Sequence, residues 1–200
     1  MSLSKQLKPM AITMGDAAGI GPEIIAKAYV QHPELLRGSF VVGDIGTMRR
    51  AARVVSGDVT PPWPIAHITS PDEAMRLPPR CIGVLPIGSL ETPVPYGEIH
   101  ARAGAAAGAS VLWAADAALR GDICAVVTAP LHKKALHAAG APYDQFAGHT
   151  ELLQERAAHF LGKPLAEVPV RMMLANDELR TVLVSIHVSM RHALEAVTCA

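Results

Sequence analysis

The sequence predicts an α/β protein: short apolar runs alternate with helical patterns, and glycine-bearing turns mark the junctions between them. Met10-Ala11-Ile12-Thr13-Met14 reads as a buried strand, followed by a turn and a helix that begins near Gly21-Pro22-Glu23. Pro22 suits the first helical turn, where a missing N–H costs nothing, and Glu23 favours the positive end of the helix dipole. Ile24, Ile25 and Ala28 then form an apolar face. Phe40-Val41-Val42 is a second strand ending at Gly43-Asp44, with a helix predicted from Thr47 to Val55. The proline-rich stretch from Gly57 to Pro79 reads as loop with one strand around Ile65 to Ile68, since Pro62 and Pro64 flank Trp63.

Ile82 to Ile87 is a further strand, and Pro93 to Tyr96 a break. From Gly97 to Leu119 the pattern is one long helix, whose Ala and Gly side chains would let another backbone approach closely. Arg120-Gly121-Asp122 ends it, and the strand Cys124-Ala125-Val126-Val127 leads into Thr128-Ala129-Pro130. Helices are expected at His132 to Ala139 and at Thr150 to Leu161. Two strands, Arg171 to Leu174 and Arg180 to Ile186, are joined by a hairpin-like turn at Ala175 to Glu178, and a last helix starts near Ser189.

Composition narrows the function. Half of the 200 residues are hydrophobic, which excludes a disordered chain and suits one large domain or two small ones. Lys+Arg and Asp+Glu each number 18, so the basic excess of a nucleic-acid-binding protein is missing. The three cysteines, Cys81, Cys124 and Cys199, have no paired spacing, which fits a reducing cytoplasm better than a disulfide scaffold. The polar Met1 to Lys8 segment has no apolar signal-peptide core behind it. Gly108, Ser110 and Asp116 interrupt the Ala-rich run, so no membrane span is expected. The expectation is a cytoplasmic enzyme or binding domain.

Four stretches carry candidate chemistry. Met14-Gly15-Asp16-Ala17-Ala18-Gly19-Ile20-Gly21-Pro22-Glu23 joins a strand to a helix, where glycines allow a tight turn or the close approach of a ligand. It is neither a Rossmann fingerprint nor a P-loop. In Thr128-Ala129-Pro130-Leu131-His132-Lys133-Lys134, a lysine after a buried strand either holds a carboxylate or phosphate or lies on solvated surface. In Gly148-His149-Thr150-Glu151, Thr150 reads as a helix cap; alternatively, His149 and Thr150 offer donors to a phosphate beside a positive helix end. In Val184-Ser185-Ile186-His187-Val188-Ser189, His187 is either a half-buried strand-end residue or a metal ligand that needs partners from elsewhere.

Taken in order, these stretches resemble the 4-hydroxythreonine-4-phosphate dehydrogenase family over nearly the whole chain. Gly15 to Glu23 matches its opening loop, Thr128 to Lys133 its Thr-Ala-Pro-x-x-Lys, and Gly148 to Glu151 its Gly-His-Thr-Glu. Met172 to His187 matches its Met-Met-Leu-Ala…Glu-Leu-Arg strand pair, which ends in a histidine. The resemblance implies a two-domain fold similar to isocitrate and isopropylmalate dehydrogenases, with a first domain over residues 1–125, a second beginning at 126–200, and a homodimeric assembly. It implies substrate binding by His149 and Thr150, and a divalent metal (zinc, magnesium, cobalt or similar) held by His187 and two further histidines. The implied reaction is NAD- or NADP-linked oxidation of a secondary alcohol followed by loss of CO₂.

Ala17 stands where the family usually has proline, and the spacer through Phe160 to Leu165 is longer than in its pyridoxine-pathway members, which points to a paralogue. A four-carbon sugar-acid phosphate, or an aromatic cis-dihydrodiol carboxylate of the terephthalate type, is then the alternative substrate. The family runs well past 200 residues, so the chain is expected to be a truncated piece whose remaining metal histidines lie beyond Ala200. A third reading is accordingly an inactive chain that keeps only an interaction surface.

Overall fold

A computed structural model describes residues 7–57, 62–185, 188–195 and 197. Its centre is a five-stranded, all-parallel sheet in the order β3-β4-β2-β1-β5. The strands are β1 (Met10–Thr13), β2 (Ser39–Gly43), β3 (Ile65–His67), β4 (Ile82–Pro86) and β5 (Ala125–Thr128). β1 and β2 are buried along nearly their whole length and mostly apolar, because both faces of the sheet are covered there.

Helices α1 (Gly21–Gln31) and α2 (Ile45–Ser56) cover one face. There Ile25, Ala26, Tyr29, Met48 and Ala51 pack on Ile12, Met14, Val41, Ile82 and Val84. The long helix α3 (Ala101–Arg120) covers the other face, where Ala114 and Ala117 meet Ala11, Phe40, Val42 and Leu85. Trp113 stands edge-on to Phe40, with ring centroids 6.0 Å apart.

Two more helices lie outside α3: α4 (Lys133–Ala138) and α5 (His149–Leu161). The small residues of α3 work as the sequence predicts, since a Cβ on Gly104 would collide with the Ala135 carbonyl of α4. Val111, Leu136 and Leu152 fill the seam between the three helices. Arg156 of α5 grips Asp116 of α3 through two parallel N–H···O bonds of 2.8 and 2.9 Å. This geometry fixes direction as well as distance.

An antiparallel pair, β6 (Met173–Ala175) and β7 (Arg180–Val182), forms the expected hairpin, with Asn176 Oδ1 accepting from the amides of Glu178 and Leu179 in its turn. Helix α6 (Met190–Glu195) follows. The boundary expected near residue 125 falls at β5, which is the edge strand of the central sheet.

Two local expectations are corrected. The stretch before β4 contains a 3-10 turn, Pro71–Arg76, where loop was predicted. Thr150 does not cap α5: the capping position belongs to Gly148, and no side chain caps this helix end. The α3–α4 contact makes a direct prediction. Gly104→Ala should lower unfolding stability by about 1–3 kcal/mol, as overpacking a tight backbone contact does, measured by urea denaturation. An unchanged midpoint would show that the two helices can part without cost.

Candidate active site at the switch point

Strand order places the candidate site. After β1 the chain winds to one side through β2, and it later returns to lay β5 on the other side of β1. In open α/β sheets, ligands gather beyond the carboxyl ends of the strands where the winding reverses. Here that crevice lies beyond Thr13 and Thr128, which are register partners on β1 and β5.

The loops that leave these two strands touch through their backbones. Ala129 N–H donates to the Thr13 carbonyl (3.1 Å), and Asp16 N–H donates to the Pro130 carbonyl (2.9 Å). Gly15 has φ of 73°, and a Cβ on it would strike the Pro130 carbonyl, so only glycine serves at this crossing. Gly21 is equally constrained, because its Cβ would lie 2.6 Å from the Met14 carbonyl. The buried Asp16 carboxylate accepts from Ala18 N–H at 3.0 Å and holds the turn closed.

The same device recurs after β2. Asp44 caps α2 by accepting from Thr47 N–H (2.6 Å), and its other oxygen accepts from Leu90 N–H (3.1 Å). Arg50, one turn further along α2, donates to the Ala17 carbonyl and to the Val94 carbonyl, each at 2.7 Å. Its guanidinium lies 4.0 Å from the centre of the Tyr96 ring, and the Tyr96 hydroxyl donates to Glu23 Oε1 at 2.9 Å. Sequence reading missed Asp44, Arg50 and Tyr96. Asp44 could have been found, since Gly43-Asp44 repeats the Gly15-Asp16 pattern at the end of a strand.

Lys133 approaches the start of α5, whose first two residues are His149 and Thr150. His132 caps α4 by accepting from Ala135 N–H at 3.3 Å, which sets Lys133 at the first position of that helix. Lys133 Cε lies 3.8 Å from where a Cβ of the buried Gly148 would be, and Glu151 Oε2 reaches the same spot. His149 is half-buried, and its Nε2 is shielded from solvent with no hydrogen-bond partner among the described residues. Burial holds this imidazole below the usual histidine range, and the Ala129 backbone opposes the shift. Thr150 is exposed in the uncapped first turn, where free backbone amides and the helix dipole favour an anion.

His187, the expected metal ligand, lies outside the described residues. Among the described residues, no group of three or more His, Cys, Asp or Glu is placed to hold a metal ion. A cavity of about 480 Å³ opens at the amino ends of β2 and β4, between Tyr29, Trp63 and Cys81, but none of the four motif stretches lines it. No described helix is long and apolar enough to cross a membrane.

The family profile for the pyridoxal phosphate biosynthetic protein PdxA matches residues 36–200. The chain belongs to this family. A 4-hydroxythreonine-4-phosphate dehydrogenase of Beijerinckia indica is 43% identical over 188 residues, covering 93% of this chain and 50% of the relative. A D-threonate 4-phosphate dehydrogenase of Salmonella typhimurium is 38% identical over 199 residues, covering 98% of this chain and 55% of the relative. The crystal structure of a 4-hydroxythreonine-4-phosphate dehydrogenase from Burkholderia phymatum superimposes with a TM-score of 0.79 at 34% identity, over 96% of this chain and 53% of that one. This PdxA-family chain thus spans about half the length of the curated relatives it matches. The two curated relatives are named as dehydrogenases of 4-hydroxythreonine 4-phosphate and of D-threonate 4-phosphate.

The half-buried imidazole of His149 has a pH consequence. Folding lowers its affinity for a proton, so the unfolded chain protonates first as the pH falls. Stability is then lost from the ordinary histidine range down toward the folded value. His149→Gln removes this titration, and its Tm should fall less than the wild type's between about pH 7 and about pH 5. Parallel Tm profiles would contradict the shift.

Proposed function

We propose that the full-length protein is a cytoplasmic, homodimeric dehydrogenase of the isocitrate dehydrogenase-like fold. It oxidises the secondary alcohol of 4-hydroxythreonine 4-phosphate, or of a close four-carbon hydroxy-acid phosphate, and releases the neighbouring carboxylate as CO₂. The observation that carries this reading is the approach of Lys133 to the uncapped start of α5, where His149 and Thr150 are the first two residues. A phosphate placed there would meet the lysine ammonium, the Thr150 hydroxyl and free backbone amides.

Burial disfavours the charged form of the His149 imidazole. A phosphate dianion beside it would favour the protonated form, so binding and proton uptake are coupled. The closed turns at Asp16 and Asp44 keep the backbone around the crevice fixed, so that little ordering is left for the substrate to impose. Anchoring the phosphate end would present the alcohol carbon toward the crevice between β1 and β5, in a defined orientation. His187 is assigned to a divalent metal, jointly with histidines outside this chain. When bound, the metal would polarise the alcohol and carboxylate oxygens, and NAD or NADP would take the hydride.

A sugar-acid substrate is the second reading. It is favoured by the D-threonate 4-phosphate dehydrogenase of Salmonella typhimurium, which aligns with 98% of this chain. The two substrates share the phosphate and the alcohol and differ in the group next to the carboxylate, so the same anchor serves both.

Steady-state assays of the full-length protein with each phosphorylated acid, and with an aromatic cis-dihydrodiol carboxylate, test the assignment. NADH formation from the dihydrodiol alone would refute it. Lys133→Ala and His149→Ala should each raise KM for the phosphorylated substrate by roughly ten- to a hundredfold, the size of one lost charge-assisted bond, with a smaller change in kcat. A KM within twofold of wild type in both would remove the anchor. His187→Ala should weaken divalent-metal affinity, read by metal titration, and unchanged affinity would take position 187 out of the ligand set.

A further inference from the structure

Within the loop after β1, Asp16 closes the turn by accepting from Ala18 N–H and Gly19 N–H, and the rest of its support comes from other segments. Gly15, Gly19 and Gly21 give it conformational freedom, and no proline stiffens it before Pro22. Its inner side is fixed to the β5 loop by the Asp16–Pro130 bond. Its outer side is held by a charged side chain from a different helix. Arg50 reaches from α2 to the Ala17 carbonyl with one nitrogen and to the Val94 carbonyl with the other, spanning loop and 94–97 segment like a staple. Gly97 N–H donates to the Ala18 carbonyl at 2.8 Å and closes a second tie between the same two segments.

Tyr96 supports the staple from below. Its ring faces the guanidinium at 4.0 Å, and its hydroxyl holds Glu23 in the first turn of α1. Arg50 Nε and Glu23 Oε2 are both shielded from solvent without hydrogen-bond partners among the described residues. Leaving two such atoms unsatisfied is costly, so the arrangement is not what the lowest-energy surface ion pair would adopt. An apolar residue at position 50 would spare that cost but could not hold two carbonyls. Arginine's planar fork can, and lysine's single ammonium cannot match it.

We infer that Arg50 is a positioning residue of the candidate active site. By fixing the Ala17 carbonyl it holds the 14–20 loop against Ala129–Pro130, the backbone beside which the start of α5 and Lys133 are arranged. The residue itself touches no substrate. This inference rests on the proposed function for its kinetic reading, but its structural arm does not.

The test uses Arg50→Ala and Arg50→Lys in the full-length protein. Amide hydrogen exchange should speed up by about tenfold or more at Ala18 and Gly97, with the amides of β2 unchanged, because local opening becomes easier without global loss. KM for the phosphorylated hydroxy acid should rise by about tenfold, with kcat altered less than KM, the effect of one or two lost hydrogen bonds on binding. Arg50→Lys should lie between wild type and Arg50→Ala, and millimolar guanidinium should partly restore KM in Arg50→Ala but not in a Lys133→Ala control. If Arg50→Ala does not fold, Arg50→Lys carries the same measurements.

Faster exchange with an unchanged KM would overturn the inference, and so would unchanged exchange in both variants. If the wild-type enzyme turns over none of the phosphorylated acids, the proposed function fails separately. The positioning role is then read from inorganic phosphate binding, followed by the His149 imidazole resonance. Equal phosphate affinity in wild type and Arg50→Lys would sink it.

Discussion

Everything at the carboxyl end of the sheet depends on two loops crossing backbone to backbone, with Asp16 N–H donating to the Pro130 carbonyl over a glycine. No side chain fits between them. The crossing joins the first strand of the chain to the fifth, and it puts the start of α5 within reach of the β5 loop. Because the contact is main chain to main chain, its geometry does not vary with side-chain rotamers. It varies only if one loop moves bodily, and Arg50 opposes such movement from the α2 side.

The fold was legible where hydrophobic period and punctuation agree. β1, β2 and β4 are apolar runs with both faces covered, and Gly121 ends α3 in the left-handed conformation that glycine favours. The family was also legible, because four motifs in order survive in a single sequence and the PdxA profile covers residues 36–200. The cap of α5 was not. Thr150 has the chemistry of a cap, but the helix begins one residue earlier, at His149, so the capping position falls on Gly148, which has no side chain to offer. The 3-10 turn at Pro71–Arg76 was hidden by prolines that read as loop; Pro71 opens the turn, and Glu73 ties it to Thr69 and Ser70.

The site was legible as separate stretches but not as an assembly. Sequence order gives no hint that Lys133 and Gly148 would meet, because that contact is set by how α4 and α5 pack on α3. Arg50 was invisible for a different reason. An arginine in an amphipathic helix reads as solvated surface, and only three-dimensional placement shows its nitrogens aimed at two carbonyls from distant segments. Residues that act by holding backbone leave no motif, since their partners are peptide groups that every residue has.

The pairing of β1 with β5 also governs the order in which the molecule can assemble. β1 lies near the amino end of the chain, yet one of its two neighbours in the sheet comes after α3, so its edge stays open until most of the sheet has been synthesised. Contacts so distant along the chain form late and slowly, since a long loop must close before they yield any stabilisation. β2 and β4 can pair early with α1 and α2 around them, whereas the crevice at Gly15 and Pro130 takes shape only at the final closure. In a nascent chain, completion of the candidate site would therefore trail compactness.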